Sequence, residues 1–410
     1  MGAVKPLLAL DLGTTTLAGR LVDERGCLLA EATLRNPQAE WGADIVRRLE
    51  LARQGRSREL QQRLVAGIND LTAELLRQGG VSPRQLVTAA AAGNSGISAL
   101  LRRQPVERIL FPPHRAADSR GCHLNASELG LKFSIPLYLF PQVTGYVGGD
   151  LVAFLLSQGT PRACTLFMDI GTNGELALFF EGRWRVTSVA AGPAFEGEGV
   201  GCGMAASVGA VRGVTLDGDR LRLRVIGGGS PQGLCGSGLA EAVAAAVEAG
   251  LIDRHGTLVD PLQVPGPLSR YLARGAEGPC LRLYRDAAVE LSLSQQDIRA
   301  FQLAKGALRA GVDCLLRRVG VSADAVEHVV VTGGFGFSLT ARVLKKVAIL
   351  PENMIERVRF SEAGVLCGCV RLLLDSNGPE RAQRLADRLR PYPLSGTPDF
   401  EQAFLGALDF

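Results

Sequence analysis

The chain has 410 residues, 47% of them hydrophobic and 21% charged, which is more than one hydrophobic core usually supports, so two domains are expected. Its 45 basic and 41 acidic residues leave a formal net charge of +4 with no dense basic run, which argues against nucleic-acid binding. Nine irregularly spaced cysteines without a C-x-x-C pair argue against a disulfide framework, and the apolar run before Asp11 is too short for a signal peptide or a span, so a soluble cytoplasmic protein without membrane contact is expected.

Along the chain, residues 7–10 read as a buried strand ending in Asp11-Leu12-Gly13-Thr14-Thr15-Thr16. Residues 17–22 and 27–33 then read as two strands joined by a turn at Arg25-Gly26. Helical patterns follow at 43–52 and 57–77; the second carries Leu60, Leu64, Ile68, Leu71 and Leu75 on one face and stops at Gly79-Gly80. A strand at 86–92 runs into Gly93-Asn94-Ser95, and Gly148-Gly149-Asp150 opens a second apolar run at 151–156.

Residues 165–168 and the string Asp169-Ile170-Gly171-Thr172-Asn173-Gly174-Glu175 then repeat the opening design, again followed by two strands, 175–180 and 184–189. The chain passes through Ala191-Gly192-Pro193-Ala194-Phe195-Glu196-Gly197 and a glycine-rich stretch at 227–229 before a small-residue helix at 238–249, closed by Gly250. A better-marked helix begins at Ser294, with Asp297 three residues on, and runs to Arg317-Arg318 and Gly320. Residues 327–332 form a β-branched strand that delivers Gly333-Gly334-Phe335-Gly336. Strands alternating with helices indicate an α/β fold, and the repeat divides it into domains 1–163 and 164–410.

An Asp-x-Gly-Thr-Thr turn at a strand end lets successive N–H groups point at one spot while threonine hydroxyls add donors, and such a spot favours phosphate. Gly13, Thr14, Thr15, Thr16, Gly171, Thr172, Asn173 and Gly174 are the candidates. The aspartates cannot grip phosphate directly because like charges repel, so Asp11 and Asp169 are candidate Mg²⁺ ligands, through water, facing each other across the metal. One copy alone reads equally well as an ordinary hairpin, whereas two copies in matching context favour phosphate. Gly333, Gly334 and Phe335 permit a planar ring or sugar to lie against the backbone, although a plain strand-end turn has the same appearance. Gly236-Ser237-Gly238 at a helix mouth offers N–H donors to an anion or simply allows close packing. Asp150 is either a helix cap or the residue that polarises an attacking water. Cys367 and Cys369 would point to different sides of a helix and the four histidines have no ligand spacing, so no zinc or iron–sulfur site is expected within the chain.

These residues carry a resemblance. Asp11 to Thr16, Asp169 to Glu175 and Gly333 to Phe335 resemble the phosphate-1, phosphate-2 and adenosine motifs of the acetate and sugar kinase, Hsp70 and actin (ASKHA) superfamily. Within it, the Ala191 to Gly197 string, Cys202-Gly203-Met204, Gly236-Ser237-Gly238, and Asp297-Ile298-Arg299 with Gln302-Leu303-Ala304-Lys305 resemble the reductive activators of corrinoid proteins, over nearly the whole chain. The resemblance implies two RNase H-like lobes around a nucleotide cleft, Lys305 among the nucleotide-binding residues, and a helix near 361–374 packing back toward the hinge. It also implies a Mg-dependent ATPase that binds ATP and drives electron transfer to a Co(II) corrinoid protein. Such activators carry an iron–sulfur domain, whereas this sequence has no C-x₄-C-x₂-C spacing, so a separate ferredoxin-like donor is the expected electron source. A homodimer is one expected assembly. The alternatives are a small-molecule kinase of the same superfamily, with a substrate pocket beside Asp150, and a non-catalytic nucleotide-dependent interaction protein.

Overall fold

The computed structural model describes residues 5–116, 118–275, 278–333, 339–394 and 396–410. It divides into two compact units, Met1–Arg162 with Glu181–Val186 and Ala363–Pro391, and Ala163–Phe180 with Thr187–Glu362 and Tyr392–Phe410.

In the first unit the opening apolar run becomes β1 (Leu7–Leu12), in which Leu8, Ala9, Leu10 and Leu12 are all fully buried. A continuous apolar run of this kind suits a strand covered on both faces. It pairs antiparallel with β2 (Thr16–Val22), which pairs with β3 (Leu28–Arg35), and parallel with β4 (Thr88–Gly93). With β5 (Cys122–Leu124) and β6 (Leu137–Leu139) the sheet order is β3-β2-β1-β4-β6-β5. The helix Ser57–Gly79 lies against β2 and β3 and buries Leu60, Leu64, Ile68, Leu71 and Leu75, the predicted stripe; Gly80, with φ 62°, ends it in the left-handed region. The helix Gly364–Leu374 lies against β1 and β4 within this same unit.

The second unit repeats the plan. β7 (Thr165–Ile170) pairs antiparallel with β8 (Asn173–Phe180), which leads into β9 (Arg183–Ala190), whose residues Thr187–Ala190 lie in this unit. Two small three-stranded sheets follow, one of β10 (Ala210–Asp217), β11 (Arg220–Val225) and β12 (Gly233–Leu234), the other of β13 (Leu272–Gly275), β14 (Gly278–Arg285) and β15 (Glu290–Ser294). The sequence reading assigned no strands to these segments. Then β16 (His328–Gly333) returns parallel to β7, with β17 (Val358–Phe360) parallel beyond it. The order β9-β8-β7-β16-β17 therefore matches β3-β2-β1-β4-β6 strand for strand, with the same parallel and antiparallel partners. Each unit has the RNase H-like arrangement.

The small-residue helix expected from 238 begins two residues earlier, as Gly236–Glu248. The helix Gln295–Val319 starts at a reciprocal capping box: Ser294 Oγ accepts from the Asp297 N–H at 3.1 Å, and Asp297 Oδ2 accepts from the Ser294 N–H at 2.8 Å. Gly334 and Phe335, expected to face a nucleoside, lie outside the described residues.

Candidate functional site

At the end of β1 the chain must reverse into β2, and Gly13 permits it: a Cβ there would lie 2.5 Å from the Thr16 carbonyl oxygen. The carbonyls of the turn are tied inward one after another. Asn36 Nδ2 donates to the Gly13 oxygen at 2.9 Å, Arg48 Nη1 to the Thr14 oxygen at 2.8 Å, and the Asn36 backbone N–H to the Thr15 oxygen at 2.7 Å. Asn36 and Arg48 are both fully buried, and Arg48 Nε also donates to the Gly42 oxygen at 2.8 Å. In a trans peptide the C=O and the next N–H point in opposite directions. The N–H groups of Thr14, Thr15 and Thr16 are therefore turned away from those buried donors, as an anion nest would require. Thr14 and Thr15 are buried, and Thr16 is exposed at the start of β2.

Beside this turn β4 ends at Gly93, whose neighbour across the ladder is Leu12. Asn94 follows, caps the helix Ser95–Leu101 by accepting from the Ile97 N–H at 2.9 Å, and donates from Nδ2 to Thr14 Oγ1 at 2.9 Å. Gly148 lies on the Asn94 main chain, where a Cβ would come within 2.5 Å of its Cα. The Gly149 N–H donates to Gln142 Oε1 at 3.0 Å. These contacts draw the start of the helix Gly149–Gln158 to the same strand ends. The N-cap of that helix is Gly148, so Asp150 is not the cap; its Oδ1 accepts from the Leu151 N–H at 2.8 Å, and burial pushes its carboxyl up to about 6.

In the second unit β7 brings Asp169 opposite Glu175 on β8 and Thr332 on β16, with Ile170 beside Gly333. Gly333 has φ 108°, and a Cβ on it would lie 2.1 Å from the Ile170 oxygen, so this close approach requires glycine. The Gly171 N–H donates to the Asn173 oxygen at 3.0 Å and the Gly192 N–H to the Thr172 oxygen at 2.8 Å. Thr172 Oγ1 donates to Glu196 Oε2 at 2.6 Å. The absence of a side chain at Gly171 leaves room for that carboxylate, since a Cβ would stand 3.2 Å from Glu196 Oε1.

The remaining candidates are held mainly by the fold. Gly174 faces the helix Gln295–Val319, where a Cβ would strike Leu308 Cδ2 at 2.2 Å. Ser237 Oγ donates to the Arg212 oxygen at 3.1 Å, and a Cβ on Gly238 would lie 1.9 Å from the Val211 oxygen, so the Gly236 to Gly238 turn packs tightly on β10. Lys305 is fully buried; its Nζ donates to the Asp409 carbonyl and lies 5.0 Å from the Phe410 ring centroid. Cys367 accepts from Arg20 Nη1 at 3.2 Å while Cys369 Sγ donates to the Leu10 oxygen at 3.5 Å, as residues on different sides of a helix should. Among the described residues no group of three or more His, Cys, Asp or Glu side chains is placed to hold a metal, and no helix is long and apolar enough to cross a membrane. A Mg²⁺ at either turn would draw on a carboxylate and hydroxyl there and otherwise on water and phosphate oxygens, a donor set that suits this ion.

Residues 163–410 match the family described as the C-terminal domain of RACo, the ASKHA domain, and residues 7–162 match the RACo middle region. The chain belongs to the RACo family. A solved RACo-type structure, the reductive activator for corrinoid,iron-sulfur protein, matches 100% of this chain and 66% of its own with a TM-score of 0.92 and 28% identity. The corrinoid activation enzyme RamQ of Eubacterium limosum is 27% identical over 368 residues, 85% of this chain and 61% of that protein. The [Co(II) methylated amine-specific corrinoid protein] reductase of Methanosarcina barkeri is 25% identical over 252 residues, 55% of this chain and 42% of that protein. This RACo-family chain thus spans less than two thirds of the length of the relatives it matches.

Sequence reasoning gave no role to Asn36, Arg48, Asn94, Gln142 or Glu196. Asn94 had a local signal, a cap residue directly after a strand. Glu196 stood inside a string valued only for resemblance. Arg48 had no signal, because it reaches the Thr14 carbonyl across 34 residues of chain.

Proposed function

We propose that this RACo-family chain binds and hydrolyses Mg-ATP, and that nucleotide-driven movement of its units helps to reactivate an inactivated Co(II) corrinoid protein with electrons from a separate ferredoxin-like donor. The observation that carries the reading is the duplication: in each unit an aspartate, glycine and threonine occupy the turn after the central strand. The names of the relatives, a corrinoid activation enzyme and a corrinoid protein reductase, support the choice of partner.

The N–H groups of Thr14, Thr15 and Thr16 and the turn from Gly171 to Gly174 are assigned to phosphate. Gly333, with Gly334 and Phe335 after it, is assigned to adenosine, and Gly236, Ser237, Gly238 and Lys305 to further nucleotide contacts. Asp11 and Asp169 are assigned to Mg²⁺ through water, and the metal, when bound, neutralises charge on the phosphate oxygens. Asp150 is assigned to polarise the attacking water by accepting its proton, which requires the carboxylate form. With its carboxyl raised to about 6, hydrolysis should decline as the medium is acidified through that range.

The test is phosphate release measured with and without a Co(II) corrinoid protein. Stimulated release supports the reading, and accumulation of a phosphorylated metabolite would make the chain a small-molecule kinase instead. Asp11→Asn and Asp169→Asn should each lower Mg-dependent hydrolysis by about 100-fold or more while the circular dichroism spectrum stays unchanged. Unchanged turnover in both variants would remove the metal role.

A further inference from the structure

Several arginines of the first unit are answered by a carboxylate: Arg47 pairs with Glu50 at 3.7 Å, Arg56 with Glu59 at 3.9 Å and Arg102 with Asp118 at 3.0 Å. Arg53, Arg108 and Arg115, on the same stretches of chain, form no ion pair among the described residues. They gather around one exposed ring. Arg108 and Arg115 line a cleft of about 380 Å³ with Glu107, Phe111, Pro112 and Pro113, and the Arg53 guanidinium stands 5.9 Å from the Phe111 ring centroid, within cation–π reach. Phe111 keeps 53% of its surface in solvent. Three arginines are thus set against one glutamate, beside exposed apolar surface.

The shape is held by the backbone. Beneath it Val106 and Ile109 are buried in a small core with Leu49 and Leu60. The Phe111 N–H donates to the Glu107 oxygen at 2.9 Å and the Arg115 N–H to the Arg108 oxygen at 2.8 Å, while His114 Nδ1 lies 2.8 Å from the Ile109 oxygen. Guanidinium groups match carboxylates bidentately, and arginine and aromatic residues are the types enriched where proteins meet. A free phosphate would use the guanidiniums and leave Phe111 and both prolines uncovered. The segment also leads to the proposed site of hydrolysis within the same unit. The His114 oxygen accepts the Gly145 N–H at 2.7 Å, and Ser95 Oγ donates to the Thr144 oxygen. Gly148, further along that loop, lies against Asn94, which donates to Thr14, and the helix bearing Asp150 follows. Whatever braces residues 107–115 braces that path as well.

We infer that this cleft is a docking surface for a partner protein, met through aspartate or glutamate side chains that flank an apolar one, and that the occupant is the corrinoid protein whose binding is to be coupled to hydrolysis. The inference rests on the corrinoid reading above and adds the place and the chemistry of the contact.

Binding of a Co(II) corrinoid protein to the full chain, measured at several salt concentrations with phosphate release followed in the same samples, tests it. Arg53→Glu, Arg108→Glu and Arg115→Glu should each weaken binding about tenfold at low salt, and the loss should shrink as added salt screens the charges. Phe111→Ser should weaken binding about tenfold at every salt concentration. None of these side chains belongs to the nucleotide site, so basal phosphate release should stay unchanged while the stimulated part is lost. A merely structural role would lower both, and the melting temperature with them. Alanine variants replace any charge reversal that does not fold. Unchanged corrinoid-protein binding in the arginine variants and in Phe111→Ser overturns the assignment. So does binding of RNA or of anionic lipid vesicles that is lost with the same arginines while the corrinoid protein stays bound. Failure of the unaltered chain to bind the corrinoid protein at all would instead overturn the corrinoid reading, and this assignment with it.

Discussion

A lysine with no exposed surface must be compensated for its charge, and Lys305 is compensated only in part: a carbonyl from Asp409 and the face of Phe410 receive its ammonium. Burial lowers its pKa from 10.5 to about 8, with Arg309 adding to the effect and Asp409 opposing it. The sign follows from the depressed value. The neutral amine is the form the fold prefers, so this stabilising contribution is complete above 10.5 and is lost as the pH falls through about 8. Relative to Lys305→Met, the unaltered protein should therefore gain on the order of 2 kcal/mol of unfolding free energy between pH 7 and pH 10. Denaturant titrations of both proteins across that range check this, and a difference that does not change with pH counts against it. Lys305 was singled out by its place in a family string and not by its chemistry, and its burial was not visible. The same limit hid Arg48 and Asn36, whose meaning lies in which carbonyls they reach. By contrast Asp11, Gly13, Asp169 and Gly171 stand out in the sequence itself, because the same carboxylate and glycine end an apolar run twice.

Among the elements, the helix Gly364–Leu374 crosses Gly149–Gln158 so closely that a Cβ on Gly368 would lie 1.8 Å from the Ala153 carbonyl oxygen. Backbone on backbone leaves nothing flexible to yield, so Gly368→Ala must push the helices apart by about 1 Å and destabilise the first unit by about 1–3 kcal/mol. Because Asp150 lies in the first turn of the displaced helix, the same variant should hydrolyse ATP more slowly even well below its melting temperature. Thermal unfolding and turnover checked together decide the matter, and an unchanged melting temperature would mean that the contact is looser than described. Helices of this kind were legible where a stripe and a stop coincide, as in Ser57–Gly79. The small sheets were not, although β11 alternates Arg220, Leu221, Arg222, Leu223, Arg224 and Val225 in a clear period of two. Its neighbours β10 and β12 lack that alternation, and the glycines around 227–229 read as loop. Distance along the chain is not the reason, since these strands pair mainly with their neighbours in sequence, β10 with β11, β13 with β14 and β14 with β15.

For the whole molecule, two sheets of matching order with the same aspartate-bearing turn after the central strand pose a thermodynamic question. A ligand stabilises whatever part of a protein it binds in the native state and nothing else. If one Mg-ATP engages both turns, it must raise the unfolding free energy of both units; at 100 times its dissociation constant the gain is about 2.7 kcal/mol, however the two units share it. If only one turn binds, the other unit keeps its own stability. Calorimetric unfolding with a non-hydrolysable ATP analogue, followed in parallel by hydrogen exchange of β1 and β7, separates these cases. Protection should rise in both strands, and Asp169→Asn should reduce it in β1 as well as β7, since linkage through a shared ligand is reciprocal. Protection confined to one strand would leave the chain a nucleotide-binding protein with no means of turning hydrolysis into movement, and would remove the coupling step on which corrinoid reactivation is proposed to depend.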